Sequence, residues 1–300
     1  MRRVACILLF AFAGCCIAGE AQSNAPGGSA DPRLATIFAN PLAAGLSRGA
    51  TVPISVVNGA TFNVEQGLSS NTFGSIFGAG FAPATASWDV KFVDGVAPTE
   101  LEGIEVKVNG KKSPIAFVLR GADVGVNYDQ VNFVMPDDDA VGDVEIKLEK
   151  NGESTGSTMF KTNSVAPSLF QFEPEGRRYI AAVHADGIHV GKDGLFGGSP
   201  PTRPAKPNDV IQIFATGFGK TNPAFPAGTI PQPPAETVDP VQVFFGETPA
   251  TVAYAGLSSY VALYQINVIV PNVSPGDIAV TAEIAGRRTQ PNVYLTIAQE

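Results

Sequence analysis

In Ile104-Glu105-Val106-Lys107-Val108 an apolar residue alternates with a charged one at every step, and the pattern returns in Val144-Glu145-Ile146-Lys147-Leu148-Glu149. Successive side chains of a β-strand point to opposite faces, so this alternation predicts strands with one face in a core and one in water. Asn109-Gly110 and Asn151-Gly152 follow the two stretches, and Asn-Gly favours the positive φ angles of a tight hairpin turn. Apart from a short helix considered over residues 33–46, no stretch beyond residue 21 has a helical period. The sequence therefore predicts an all-β protein.

The chain repeats itself at an offset of about 134 to 137 residues. The repeated blocks keep their order: Ser75–Phe81 returns as Gln212–Phe218, Val106–Gly110 as Val241–Gly246, Gln130–Pro136 as Gln265–Pro271, and Gly142–Val144 as Gly276–Ile278. This spacing is too long for a solenoid repeat and fits duplicated domains. We place the two domains at residues 54–165 and 166–300.

The first residues have the features of an export signal. Arg2 and Arg3 precede an uncharged apolar run, Val4–Ala18, that is too short for a membrane span. Cleavage after Ala21 would give a signal peptide over residues 1–21 and a flexible leader over 22–53. Alternatively, Cys15 becomes the lipid-anchored N-terminus of a lipoprotein. Both alternatives predict an exported protein that is extracellular, on the cell surface or periplasmic.

Composition excludes several classes of function. All 3 cysteines lie within residues 1–21, so the cleaved chain has neither disulfides nor thiolate metal sites. Cleavage also removes two arginines and one glutamate, which leaves 18 basic and 27 acidic residues and a net charge of −9. Such an acidic chain is not expected to bind nucleic acid, and it is expected at a membrane only if it is lipidated at Cys15.

Two short motifs resemble catalytic loops and fail on inspection. Gly219-Lys220-Thr221 ends like a phosphate-binding loop, but Phe214 stands where that motif needs glycine and Pro223 follows where it needs a helix. Gly256–Tyr260 begins like a nucleophile elbow but ends in tyrosine instead of glycine. The sequence therefore predicts no catalytic site and no enzyme.

The two histidines are the candidate metal ligands. His184 and His189 flank Asp186-Gly187, a two-residue hairpin signal that would place the imidazoles opposite each other. Asp186 or Asp193 would supply a third ligand to a transition metal. The favoured alternative is a pair of exposed hairpin residues, because two histidines without a fixed third ligand seldom make a metal site.

No cofactor is expected. The one alternative is calcium, which Asp137-Asp138-Asp139 would bind. Calcium needs six to eight oxygens at a defined spacing, so the favoured alternative is a solvated acidic loop. Trp88, the only tryptophan, is a candidate for stacking on a sugar or anchoring a partner, against the favoured alternative of core packing.

Four amides complete the candidate ligand residues: Gln130, Asn132, Gln265 and Asn267. Each pair occupies alternate positions of one predicted strand, so both amides of a pair lie on one face. They would contact a ligand, or, in the favoured alternative, satisfy the backbone groups of a neighbouring loop.

Several ordered motifs resemble a known family. They are Val56–Phe62, the Ser75–Phe81 block, Pro204–Val210, Ala215–Gly219 and Tyr264–Val268. Together they resemble the Solibacter-type uncharacterised C-terminal domain of secreted acidobacterial proteins, over roughly residues 54–298. The resemblance implies tandem immunoglobulin-like (IPT/TIG-like) β-sandwich domains and no assigned activity. A Gly/Pro-rich stretch, Val190–Arg203, is longer than the family's usual loop.

Three classes of function follow. The first is a non-catalytic binding or adhesion module of the cell envelope that recognises glycan or protein through its loops. The second is a structural spacer or assembly domain without a dedicated ligand. The third is a secreted hydrolase with an unrecognised site. The expected partner is an envelope protein or polysaccharide, by analogy with the fold.

Overall fold

The computed structural model describes residues 53–298. The predicted signal peptide, the leader up to residue 52 and the helix considered over 33–46 lie outside the described residues. No described residue lies in an α-helix, and short 3-10 helices occur only at Gly121–Asp123 and Pro174–Gly176 within this range. The prediction of an all-β protein is confirmed. No helix in residues 53–298 has the length and apolar character needed to cross a membrane.

Unit 1 comprises the strands between residues 55 and 162. They are β1 (Ser55–Asn58), β2 (Phe73–Gly78), β3 (Ala86–Ser87), β4 (Ile104–Val108), β5 (Lys111–Lys112), β6 (Ile115–Leu119), β7 (Asp129–Val134), β8 (Gly142–Lys150) and β9 (Glu153–Thr162). One sheet has the order β1-β2-β7-β6-β3 and the other β5-β4-β8-β9. This is the A-B-E-D and C-F-G order of an immunoglobulin sandwich.

Unit 2 comprises the strands between residues 168 and 297. They are β10 (Ser168–Leu169), β11 (Gln171–Phe172), β12 (Tyr179–Ile180), β13 (Ala182–His184), β14 (His189–Val190), β15 (Thr202–Arg203), β16 (Val210–Thr216), β17 (Thr221–Asn222), β18 (Ala235–Thr237), β19 (Val241–Phe245), β20 (Thr248–Leu257), β21 (Tyr264–Ile269), β22 (Gly276–Ile284), β23 (Arg287–Arg288) and β24 (Tyr294–Ile297). The orders β13-β16-β21-β20 and β19-β22-β24 give the same sandwich, and the long β20 pairs with both β21 and β19. The chain is thus two tandem immunoglobulin-like sandwiches.

The alternating stretches form strands whose inward residues fill the cores. In β4, Ile104, Val106 and Val108 are buried between the sheets, while the charged residues between them are half-buried. Asn109-Gly110 and Asn151-Gly152 have positive φ at both residues, as their hairpin turns require. Each unit closes over its own apolar core, one from Val56 to Phe160 and one from Val165 to Ile297.

The duplication extends to strand register. Ser75 pairs with Asn132 in unit 1, and the residues that repeat them, Gln212 and Asn267, pair in unit 2. Each unit also has a β-bulge at the same place, between Ile115 and Phe117 in β6 and between Val252 and Tyr254 in β20. Bulges and register are set by the fold, so their repetition supports the origin of both units from one ancestral domain.

A third apolar core joins the two units. Unit 1 contributes Ala60, Phe73, Trp88, Ala97, Ala116 and Val134, and unit 2 contributes Phe170, Phe172, Ala181, Val183, Phe214, Val261, Ala262 and Leu263. The two backbones also bond across the junction, from Ala97 N–H to Gly228 O at 2.8 Å and from Ile230 N–H to Gly95 O at 2.9 Å. Among the described strands no ladder crosses between the units. The predicted domain boundary between residues 165 and 166 stays a prediction.

Candidate functional site

The two histidines do not face each other. The register pairs His189 with Val183, and His184 N–H donates to Ile188 O at 2.8 Å. The hairpin loop therefore has three residues, 185–187, and its last residue is a glycine with φ of 81°. The predicted two-residue turn, and with it the pairing of His184 with His189, is wrong, because one extra loop residue moves the histidines to opposite faces.

His184 and Asp186 have different partners. The buried His184 ring lies with Nε2 3.2 Å from Arg203 O and Nδ1 3.8 Å from the Asp209 carboxylate. Asp186 lies at the surface and forms an ion pair with Arg203 at 2.7 Å. Within residues 53–298 no three His, Cys, Asp or Glu side chains cluster as metal ligands.

His189 lies among aromatic rings. Its ring is 6.0 Å from Phe172 and 5.9 Å from Phe196, edge-on to both. Burial lowers the pKa of His189 below its ordinary value of 6.5, because the charged form loses its hydration. The expectation of two exposed histidines is therefore also wrong, since both are buried.

The acidic triplet links the units. Asp137 accepts a hydrogen bond from Ala227 N–H of unit 2 at 3.0 Å, and Asp139 forms an ion pair with Lys220 of unit 2 at 3.1 Å. Asp138 accepts bonds from within unit 1, including one from Ala140 N–H. The three carboxylates thus bond to different parts of the protein instead of converging on one point.

These aspartates border a groove of about 860 Å³ between the units. Phe225, Pro226 and Val238 form an apolar wall, and Tyr264 also borders the groove. The Tyr264 hydroxyl donates to Gly219 O, and burial raises its pKa. Charges of both signs and an apolar wall give this groove no single chemical preference.

Trp88 is a core residue. Its side chain is 7% exposed and lies in the third core, 6.1 Å from the Phe73 ring and 5.3 Å from the Phe92 ring. The backbone N–H of Trp88 donates a hydrogen bond to Ala116 O at 3.1 Å, which fixes the backbone at this position. The favoured expectation of core packing agrees with this position, and the ring is not available to stack on a ligand.

The two candidate amide side chains of unit 1 are buried. Gln130 and Asn132 are each 1% exposed, and Gln130 Nε2 donates to Asn132 Oδ1 at 2.7 Å. Phe77 and Leu119 pair with Gln130 from the two neighbouring strands, and Phe117 pairs with Asn132. These large apolar side chains close this face of unit 1 to a ligand.

The same positions of unit 2 form a half-exposed surface. Gln265 Nε2 donates to Asn267 Oδ1 at 2.8 Å, repeating the bond of unit 1, but both side chains reach solvent. Asn267 pairs with Gln212 on one side and Tyr254 on the other, so three polar side chains lie side by side on β16, β21 and β20. We call Gln212, Tyr254, Gln265 and Asn267 the amide row.

Sequence reasoning found half of the amide row. Gln265 and Asn267 stand out because they alternate within one strand, whereas Gln212 and Tyr254 lie on other strands and need the pairing to be recognised. A signal existed for Gln212, because it is the counterpart of Ser75 in the repeated block. None existed for Tyr254, whose position depends on the bulge in β20.

Comparison with known proteins assigns this chain to no family. No protein-family model matches the chain, and no curated protein matches it. Among solved structures, the tandem Ig repeats of Dlar align with 12% identity over 82% of this chain and 98% of theirs, with a TM-score of 0.20. A titin tandem aligns with 9% identity over 77% and 62% (TM-score 0.19). InvD of Yersinia pseudotuberculosis aligns with 8% identity over 83% and 58% (TM-score 0.21).

Proposed function

We propose that this chain is a non-catalytic binding module of the cell envelope, and that it binds an envelope protein or polysaccharide through the amide row of unit 2. The observation that supports this most is the contrast between the two copies of one site. The amides are buried in unit 1 and half-exposed in unit 2, although the strand register is the same. The site lies on a sheet face and not in the loops at the ends of the sandwich.

The contrast can be traced to the groups that flank the two glutamines. In unit 1, Leu119 pairs with Gln130, whereas Gly256 stands at the equivalent position beside Gln265, and the Ala235 carbonyl and the Tyr254 hydroxyl fill the space of its missing side chain. Phe77 lies over the sheet of unit 1 and contacts the rings of Phe62 and Tyr128. Its counterpart in unit 2, Phe214, pairs with Gln265 in the same register and lies in the third core. The space that Leu119 fills beside Gln130 is therefore occupied by polar groups beside Gln265, and the two amides of unit 2 stay half-exposed.

A capture experiment tests the proposal. The full chain without residues 1–21 is immobilised and exposed to protein and polysaccharide fractions of its own envelope. We expect capture of one fraction, and a loss of capture in the double variant Gln265→Ala, Asn267→Ala with an unchanged melting temperature. Gln242→Ala is the matched control, because Gln242 is exposed on the other sheet of unit 2. Equal capture by all three proteins would refute the proposal.

A spacer function is the second candidate, and the third core favours it. Residues from both units bury each other there, so the two sandwiches are held in one arrangement. Spin labels at Val64 and Val238, both exposed, would report the distance between the units. A narrow distance distribution that broadens in Trp88→Ala supports a rigid spacer, and a broad distribution in the unchanged chain contradicts it.

Export and membership of the Solibacter-type family are part of the same proposal. Both are supported only by the sequence features of residues 1–21 and of the repeated motifs. N-terminal sequencing of the protein from culture medium would locate the cleavage site. Acyl labelling that disappears in Cys15→Ser would show the lipoprotein alternative instead.

A further inference from the structure

We propose that the ligand of the amide row is an uncharged polysaccharide, lying across the strands of unit 2. This inference rests on the proposed function and names the class of ligand for the same site.

The unsatisfied groups of the amide row are both donors and acceptors. An amide has one carbonyl oxygen and two N–H groups, and the bond from Gln265 Nε2 to Asn267 Oδ1 uses one of each. In the described part of the chain, Gln265 Oε1 and Asn267 Nδ2 have no other partner, and neither does the Gln212 side chain. A sugar hydroxyl donates and accepts at one oxygen, so it satisfies this mixture directly.

Tyr254 supplies a fixed apolar surface beside these amides. Its hydroxyl donates to Leu257 O at 2.7 Å, which holds the ring next to Asn267 in the adjacent strand. An aromatic ring held by its polar end presents a flat apolar surface with little rotational freedom left to lose on binding. Amides together with a ring suit a ligand that has polar edges and an apolar face, as a sugar ring has.

Charge argues against an ionic ligand. The amide row holds no side chain that is charged at neutral pH, since a tyrosine is neutral there, and burial, together with the charge of Glu236, raises the pKa of Tyr254 further. The chain carries 28 acidic and 20 basic residues, so its overall field repels a polyanion. One exposed carboxylate, Glu236, lies beside the row, and a single carboxylate gives too little charge to hold a polycation. The neutral row therefore favours a neutral partner.

The length of the row favours a polymer. Gln212, Asn267 and Tyr254 lie on three adjacent strands, which are about 4.8 Å apart, so the row extends roughly 10 Å across the sheet. A ligand that contacts all three must run perpendicular to the strands. A chain of linked sugar rings does so with one repeated set of contacts, whereas a single small sugar covers only part of the row.

Affinity electrophoresis tests this inference. The full chain without residues 1–21 is run in gels containing dextran, soluble starch or hydroxyethylcellulose, and in matched gels containing alginate. We expect retardation by at least one neutral polysaccharide, with a dissociation constant that high salt leaves unchanged. Asn267→Ala should weaken binding about two- to twelvefold, since a lost hydrogen bond contributes about 0.5–1.5 kcal/mol. Gln242→Ala should bind like the unchanged protein.

The outcomes separate this inference from the proposed function. Retardation by alginate alone, or by none of the three neutral polysaccharides, overturns the inference. So does neutral-gel retardation that Asn267→Ala leaves unchanged. If the row variants abolish capture of an envelope protein while no neutral polysaccharide binds, the proposed function stands and the inference falls. If the row variants change neither measurement, both fall.

Discussion

Replacing Trp88 by alanine should uncouple the two units. The side chain is 7% exposed and lies in the core that both units build, against Phe73 and Phe92. Truncating a buried tryptophan to alanine costs about 3–5 kcal/mol, because transfer energy is lost and a cavity remains. Domains of this kind have about 5–15 kcal/mol of stability, so the loss is a large fraction of it. At about 2–4 °C per kcal/mol, the affected transition should fall by roughly 6–20 °C.

Calorimetry and fluorescence measure this prediction together. Trp88 is the only tryptophan, so its emission reports the third core alone. In the unchanged protein we expect emission typical of a buried indole, which shifts to longer wavelength at the temperature of the main calorimetric transition. Trp88→Ala should split that transition in two, and Trp88→Phe, which keeps a ring, should lower it by less. A single transition in Trp88→Ala within about 2 °C of the unchanged protein would show that the third core contributes little, since that shift corresponds to at most about 1 kcal/mol.

Three further outcomes are expected. Burial lowers the pKa of His189, so the unfolded chain binds a proton at a higher pH than the folded protein does. The stability of the folded protein should therefore fall as pH falls below about 6.5. Melting curves of His189→Leu should lack that part of the pH dependence. Hydrogen bonds from Lys107 and Lys147 lower the pKa of Glu149, so a further loss of stability should begin as pH falls below about 4.5, and Glu149→Gln should flatten it. Gly256→Ala should destabilise unit 2 by about 1–3 kcal/mol in urea unfolding, because the new methyl group would lie 2.1 Å from Ala235 O; an unchanged midpoint would contradict this packing.

The sandwich fold was predictable because the pattern that encodes it is local. The alternation of apolar and charged residues in Ile104–Val108 predicts which side chains enter the core, and Asn109-Gly110 predicts the position of the hairpin turn. The duplication was also visible, because repeated blocks need no knowledge of pairing. Fold class and tandem arrangement therefore follow from residues read in short windows.

The third core and the amide row could not be predicted in the same way. Trp88 belongs to a core that residues of unit 2, far away in the sequence, help to build, and no period in its own loop indicates that core. The histidine hairpin shows the limit at short range, since a loop of three residues instead of two reverses which face His189 occupies. Likewise, whether Gln130 or Gln265 reaches solvent depends on groups in neighbouring strands, here Leu119 beside Gln130, and Gly256 with the Tyr254 hydroxyl packed over it beside Gln265.

Nuclear magnetic resonance of the side-chain amides tests the central claim most directly, because the protein contains its own control. The NH₂ signals of Gln212, Gln265 and Asn267 are followed while envelope polysaccharide is added to the labelled chain. The account predicts shifts in these three signals and none in those of Gln130 and Asn132, which are sealed in unit 1. Shifts confined to other surfaces, with the three signals of the amide row unmoved, would contradict it.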